Sequence, residues 1–199
     1  MVEALMMNIE LVRQQFTVKQ YHQMVDDGIL HQSDRVELVL GEIINMSPIG
    51  TRHASCVRRI SNLLAAKLGG RALIDVQNPF ELDQTSEPQT DILLLELRSD
   101  FYETSHPRPE DIFLLIEVAD TTVKYDREIK IPLYSKANLI EVWLVDLNQK
   151  VIEVYRQPTP AGYQDIQKFT QNQILDIKAF LDVKINVDEI FSFPQKAED

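Results

Sequence analysis

A chain of 199 residues and 23.0 kDa, with 44% hydrophobic and 26% charged residues, is long enough for one domain with a substantial core and does not read as disordered. A formal net charge of -11 repels polyanions at long range and argues against nonspecific nucleic-acid coating, while leaving room for a local basic groove or a metal bridging to phosphate. The apolar runs are too short and too rich in acids to span a membrane, and the N-terminus, with Glu3 and Glu10, does not read as a secretion signal. The single cysteine, Cys56, excludes an internal disulfide framework and a cysteine-rich zinc site, so a cytoplasmic protein is expected.

In chain order, "TVKQYHQMVDDGIL" at 17–30 carries helical spacing at Val18, Tyr21, Met24 and Val25, with Thr17 as N-cap and Gly28 as stop. "RVELVLGEIINM" predicts a hairpin around Gly41, with Val36, Leu38 and Leu40 alternating before it. Residues 52–68 place Val57, Ile60, Leu63, Leu64 and Leu68 on one helical stripe that Gly69 and Gly70 end. The arginines and lysine of this region, Arg52, Arg58, Arg59, Lys67 and Arg71, read as a solvated helix face.

Strands are predicted at 72–83, at 91–97 ("DILLLEL") and at 111–119 ("DIFLLIEVA"), followed by a helix over 125–137 that Pro132 should bend. A strand at 141–147 and another at 150–157 should pair as a hairpin through the turn residues "NQ". Smaller strands at 163–169 and 174–180, a helical turn at 187–193 and a frayed tail at 194–199 complete the chain. No repeat or linker divides it, so residues 1–199 read as a single domain with its core at about 52–147. The strand-helix-strand step implies a parallel pair and the shorter links antiparallel ones, which predicts an α/β fold with a central mixed sheet flanked by helices.

Glu117 poses a chemical question, because it lies inside the apolar run "IFLLIEV" and a buried carboxylate is costly without a partner. If strands 91–97 and 111–119 pair symmetrically about "RSDFYETSHPRPE", residue 91 falls opposite residue 117, at one end of the sheet. If the register also puts them on one face, Asp91 and Glu117 can share one hard cation, and Mg or Mn suits such oxygen ligands. On the next helix Asp126, Lys130 and Tyr134 recur every four residues, so a lysine could meet the negative charge of a phosphate there. The plain structural alternative is a strand-capping Asp91, a Glu117 paired with Arg127 or Lys130, and an ordinary Asp126–Lys130 helix pair.

These residues in this order resemble the PD-(D/E)xK nuclease superfamily, and the chain is similar to the Uma family of restriction-endonuclease-like proteins over about residues 16–192. The segments "VELVLGEIINMSPIGTRHA", "SEPQTDILLL", "IEVADTTVKYDREIKIPLY" and "EVWLVDL" carry the resemblance. It implies a restriction-endonuclease-like core, metal-binding acids Asp91 and Glu117 with the Val118 carbonyl as a further ligand, and catalysis by Asp91, Glu117 and Lys130. Thr90 stands where the family has proline, and Ala119 where the superfamily has lysine; the resemblance implies that Lys130 takes over that role.

Secondary candidates are Glu42 at the hairpin, His53 at the start of the long helix, Gln77 on a strand read as central, and Asp126. His22, His31 and His106 share no metal-ligand spacing along the chain. Cys56 reads as a small buried residue. The expected activity is Mg-dependent or Mn-dependent hydrolysis of DNA phosphodiester bonds by a homodimer. The alternatives are a noncatalytic nucleic-acid or protein binding module on the same fold, or a hydrolase of a small phosphorylated substrate.

Overall fold

A computed structural model describes residues 14–31 and 33–191; the expectations for the N-terminal signal and for the tail at 194–199 lie outside them. Thr17 caps helix α1 (Val18–Asp26) through a reciprocal box with Gln20, as its sequence suggests. Strands β1 (Val36–Val39) and β2 (Glu42–Asn45) then form the expected hairpin. Its two turn residues, Leu40 and Gly41, both have positive φ, 53° and 75°. That is the primed turn geometry matching strand twist. Glycine is needed at 41 for a second reason, because a Cβ there would stand 2.6 Å from the Gln15 Cβ.

Helix α2 (Thr51–Leu68) buries Cys56, Val57, Ile60, Leu64 and Leu68, and Gly69 ends it in the left-handed conformation. The five cations of this region are exposed or half-buried, and four of them also hold partners. Arg52 pairs with Asp120 and Arg71 with Asp182, while Lys67 pairs with Glu189 and Arg59 donates to the Ile190 carbonyl. Cys56 is buried, and desolvation pushes its thiol up to about 12.

Six strands form one mixed sheet in the order β3–β4–β5–β6–β7–β8. They are β3 (Leu73–Val76), β4 (Ile92–Leu95), β5 (Ile112–Ala119), β6 (Glu141–Asp146), β7 (Val151–Arg156) and β8 (Asp165–Phe169). Only β5 and β6 are parallel, and the helical crossover between them explains why. The long strand expected at 72–83 is shorter, because Gln77 turns left-handed (φ 57°) and ends β3 at Val76. Strand β3 also sits at the sheet edge, so Gln77 belongs to an edge strand's end and not to a central strand. The β6–β7 hairpin holds, with a four-residue loop at 147–150 in which the Asp146 carboxylate accepts from the Asn148 and Gln149 amides.

β5 is buried on both faces, which is why its sequence is nearly continuous in apolar residues. Leu114, Ile116 and Val118 face the core shared with α2, β9 (Ile174–Ile177), β10 (Phe180–Asn186) and α5 (Val187–Ile190). Leu115 and Ala119 face the opposite core with Ile131, Leu133 and Tyr134. Glu117 lies between these two, on that second face. Strand β10 is not among the sequence expectations, although Asp182, Val183, Lys184 and Ile185 alternate polar and apolar as a half-buried strand does.

The crossover is helical from 123 to 136, as α3 (Val123–Tyr125), a wider π turn (Asp126–Lys130) and α4 (Ile131–Lys136). Pro132 cannot donate to residue 128 and its ring crowds that carbonyl, so the preceding turn widens and the Ile131 amide bonds the Asp126 carbonyl instead. Pro132 thus widens the helix where a bend was expected.

Candidate active site

The β4–β5 register aligns Ile92 with Ile116, which continues to Asp91 opposite Glu117. Leu93 and Leu95 of β4 share a face with Leu115 and Ala119 of β5. Asp91 and Glu117 therefore point to that face by the two-residue period of both strands. The helix at 123–136 covers it, and so Lys130 and Tyr134 arrive over Glu117.

Both side chains meet the same carboxylate oxygen. Lys130 Nζ lies 3.3 Å and the Tyr134 hydroxyl 2.5 Å from Glu117 Oε1, and both bonds leave Oε2 unused. Glu117 is 4% exposed, and burial pushes its carboxyl up to about 8 despite the opposing pull of Lys130. Burial by itself would lower the Lys130 ammonium, yet Glu117, Glu37 and Asp126 hold it above its ordinary value. The ammonium has three acceptors for its three protons: Glu117, Glu37 Oε2 at 3.1 Å and the Gln89 carbonyl at 3.1 Å. An ammonium held this way is a fixed charge.

Glu37 is absent from the sequence candidates. Alternation of Val36, Leu38 and Leu40 assigns it to the solvent face of β1, but the hairpin is packed on both faces and Glu37 is 4% exposed. It accepts from the Gln89 amide at 3.1 Å and from the Tyr125 hydroxyl at 3.5 Å. Only the fold brings these residues together, so no local signal marks Glu37.

Asp91 accepts from the Val118 amide at 2.8 Å, and His53 Nε2 lies 3.0 Å from both of its oxygens. This hydrogen bond raises the His53 pKa, outweighing burial. Helix α2 starts at the same end of the sheet, which puts His53 in its first turn within reach of β4. Asp126, 5% exposed, is bonded by the Thr122 hydroxyl at 2.6 Å; desolvation raises its carboxyl while Lys130 opposes the shift. Gln77 contributes its main chain, accepting from the Gln89 side chain and donating to the Asp91 carbonyl.

One open cleft of about 680 Å³ has Glu37, His53, Gln77, Asp91, Glu117, Val118, Asp126 and Lys130 on its walls, with Tyr134 buried behind them. Glu42 is not among its lining residues; it lies on β2, half-buried, opposite Val39. Arg127, the other partner considered for Glu117, pairs with Glu153 at 3.0 Å.

The residues present fit a hard divalent cation. Six acids line it, Glu37, Asp91, Glu117, Asp120, Asp126 and Glu128, against Arg35, Lys124, Lys130 and His53, so acidic groups outnumber basic ones in the cleft. His53 Nδ1 and Thr90 Oγ1 are buried without a hydrogen-bond partner on either side of Asp91, which leaves polar capacity there for a guest. Asp91, Glu117 Oε2 and the Val118 carbonyl would offer such an ion an oxygen set of the kind Mg and Mn prefer.

An open mixed sheet that brings two acids and a lysine to one cleft defines a restriction-endonuclease-like nuclease fold. The chain belongs to the Uma2 family, described as "Putative restriction endonuclease", with the match spanning residues 18–188. A crystal structure of a nuclease assigned to DUF820 from Anabaena variabilis, itself described as putative, has a similar fold, with a TM-score of 0.65 and 16% identity. The similarity covers 84% of this chain and 97% of that one. No curated protein matches the sequence. Among the described residues no helix is long and apolar enough to cross a membrane.

Proposed function

We propose that this chain hydrolyses DNA phosphodiester bonds with Mg or Mn held by Asp91, Glu117 and the Val118 carbonyl. The observation that carries the reading is the convergence of two acids and a buried lysine, from the residue entering β4, from β5 and from the crossover helix, in one cleft. Restriction-endonuclease-like nucleases generally use divalent metal ions. Such an ion supplies a Lewis acid for a phosphate oxygen and a bound water of lowered pKa.

The chain's own residues divide the remaining work. His53 and the Val118 amide orient Asp91. Glu37 and Gln89 aim the Lys130 ammonium, whose charge stabilises the phosphate as negative charge builds on it. Exposed Arg35 and Lys124 at the cleft add cations for a polyanionic backbone. Cutting both strands of a duplex calls for two sites, so the working form is a homodimer in this proposal.

Nicking of supercoiled plasmid and of labelled single strands with Mg or Mn tests the reading. Cleavage that Asp91→Ala and Glu117→Ala each abolish is expected; no cleavage with either metal would refute it. A second reading, a noncatalytic binding module, is favoured by one observation: all three Lys130 protons already have acceptors. Salt-sensitive DNA binding without product would select it. Release of phosphate from small substrates with intact polymer would select a small-molecule hydrolase.

A further inference from the structure

Away from the cleft, His22, Glu87 and His106 each present a ligand atom, and the three lie within 4.8 Å of one another. Among the described residues no other His, Cys, Asp and Glu set of this size does so. We propose that these residues form a Zn2+ site that clamps α1 to the body of the protein.

Three features carry the proposal. The first is the fixed acid. Glu87 exchanges main-chain hydrogen bonds with Leu38 of β1, which holds its backbone in place. Its carboxylate is 3% exposed, and among the described residues its ion-pair partner is His22, with Nε2 at 2.9 and 2.8 Å from the two oxygens. A buried carboxylate needs a cation or strong donors, and a half-exposed imidazole is the partner provided.

The second is accessibility. The His22 side chain is 46% exposed and His106 is exposed, with the two rings 6.1 Å apart, so an ion reaches the site from solvent. The third is ligand chemistry. Two imidazoles and one carboxylate suit zinc, whereas Mg prefers oxygen alone. Tetrahedral bonds of about 2.1 Å separate ligand atoms by roughly 3.4 Å. His22 and Glu87 are already inside that distance, and His106 closes the remainder by a side-chain rotation on an exposed loop. Water takes the fourth position.

The three ligands come from α1, from the segment entering β4, and from the 96–111 loop before β5. An ion there cross-links elements otherwise joined by hydrogen bonds. Because the ligands are remote in sequence, the histidines show no metal spacing when the chain is read linearly.

The test is zinc titration of the metal-free full chain against a chromogenic chelator, with Co2+ absorption reporting tetrahedral imidazole ligation. His106→Ala and His22→Ala change exposed residues, and Glu87→Gln preserves shape and a hydrogen bond to His22. Each should weaken zinc binding at least tenfold and remove the tetrahedral Co2+ bands, while Asp91→Ala leaves both intact. Zinc at about 100 times its Kd should raise the Tm of the unsubstituted protein by roughly 5–10 °C and that of the His106→Ala variant by much less. Equal affinity in the histidine variants, or loss of the ion in Asp91→Ala alone, would overturn the proposal.

Discussion

Replacing Lys130 by Met keeps the apolar stem and removes the ammonium, leaving the Glu37 and Glu117 carboxylates and the Gln89 carbonyl without it. Removing one partner of a buried ion pair costs about 3–5 kcal/mol, against a total stability of about 5–15 kcal/mol. At about 2–4 °C per kcal/mol for a chain of this size, Tm should fall by roughly 6–20 °C. The loss should depend on pH with a definite sign. Burial already pushes the Glu117 carboxyl up to about 8, and without the opposing ammonium it resists ionisation further, so its folded pKa lies above its unfolded one. The unfolded state then sheds protons first, and the variant's stability falls as pH rises from about 4.5 through the folded value. Urea unfolding followed by fluorescence of the one tryptophan, buried Trp143, at pH 6 and pH 9 measures both effects. Adding Glu37→Gln and Glu117→Gln to the Met variant should recover part of the loss. A cost below about 1 kcal/mol at both pH values would refute the account of Lys130 as the neutralising charge of this cluster.

Gly41→Ala should destabilise the hairpin by about 1–3 kcal/mol, because the left-handed turn and the approach of Gln15 both reject a Cβ; thermal unfolding checks this. Glu153 concerns the opposite face of the pH scale. Burial alone would raise its carboxyl, but hydrogen bonds from Arg127, Lys168 and Tyr155 hold it at about 2. Its contribution is present above about 4.5 and is lost as pH falls towards 2, so Glu153→Gln should flatten the acid side of a Tm-versus-pH curve. An acid limb identical to that of the unsubstituted protein would contradict it.

Much of the fold was legible because its signals are local. The apolar run of β5, the stripe of α2 and the glycine stops each report on their own segment, and the symmetric link between β4 and β5 placed Asp91 opposite Glu117. The face they share stayed conditional on register in the sequence, and the observed pairing of Ile92 with Ile116 settles that register. Glu37 was not legible, since strand alternation assigns it to solvent and only packing of the hairpin against the helix buries it. Nor was the end of β3 at Gln77, a left-handed residue that is not glycine. The side to which Glu42 points was open in the sequence for the same reason that Glu37 was missed: the hairpin's orientation is a tertiary fact. His22 on α1 and His106 on the 96–111 loop meet only through tertiary packing, which the sequence does not specify.

The way the cleft is stitched together bears on when it comes into being. His53 reaches Asp91 across 38 residues, Gln89 reaches Glu37 across 52, and Tyr125 reaches Glu37 across 88. Contacts of such long range form only after large loops have closed, and they slow folding relative to local pairings. A chain still emerging from the ribosome would have α1, the hairpin and α2 exposed before the crossover helix exists. Lys130 is then missing from the acids it meets, so the cleft cannot be completed before the crossover helix has formed.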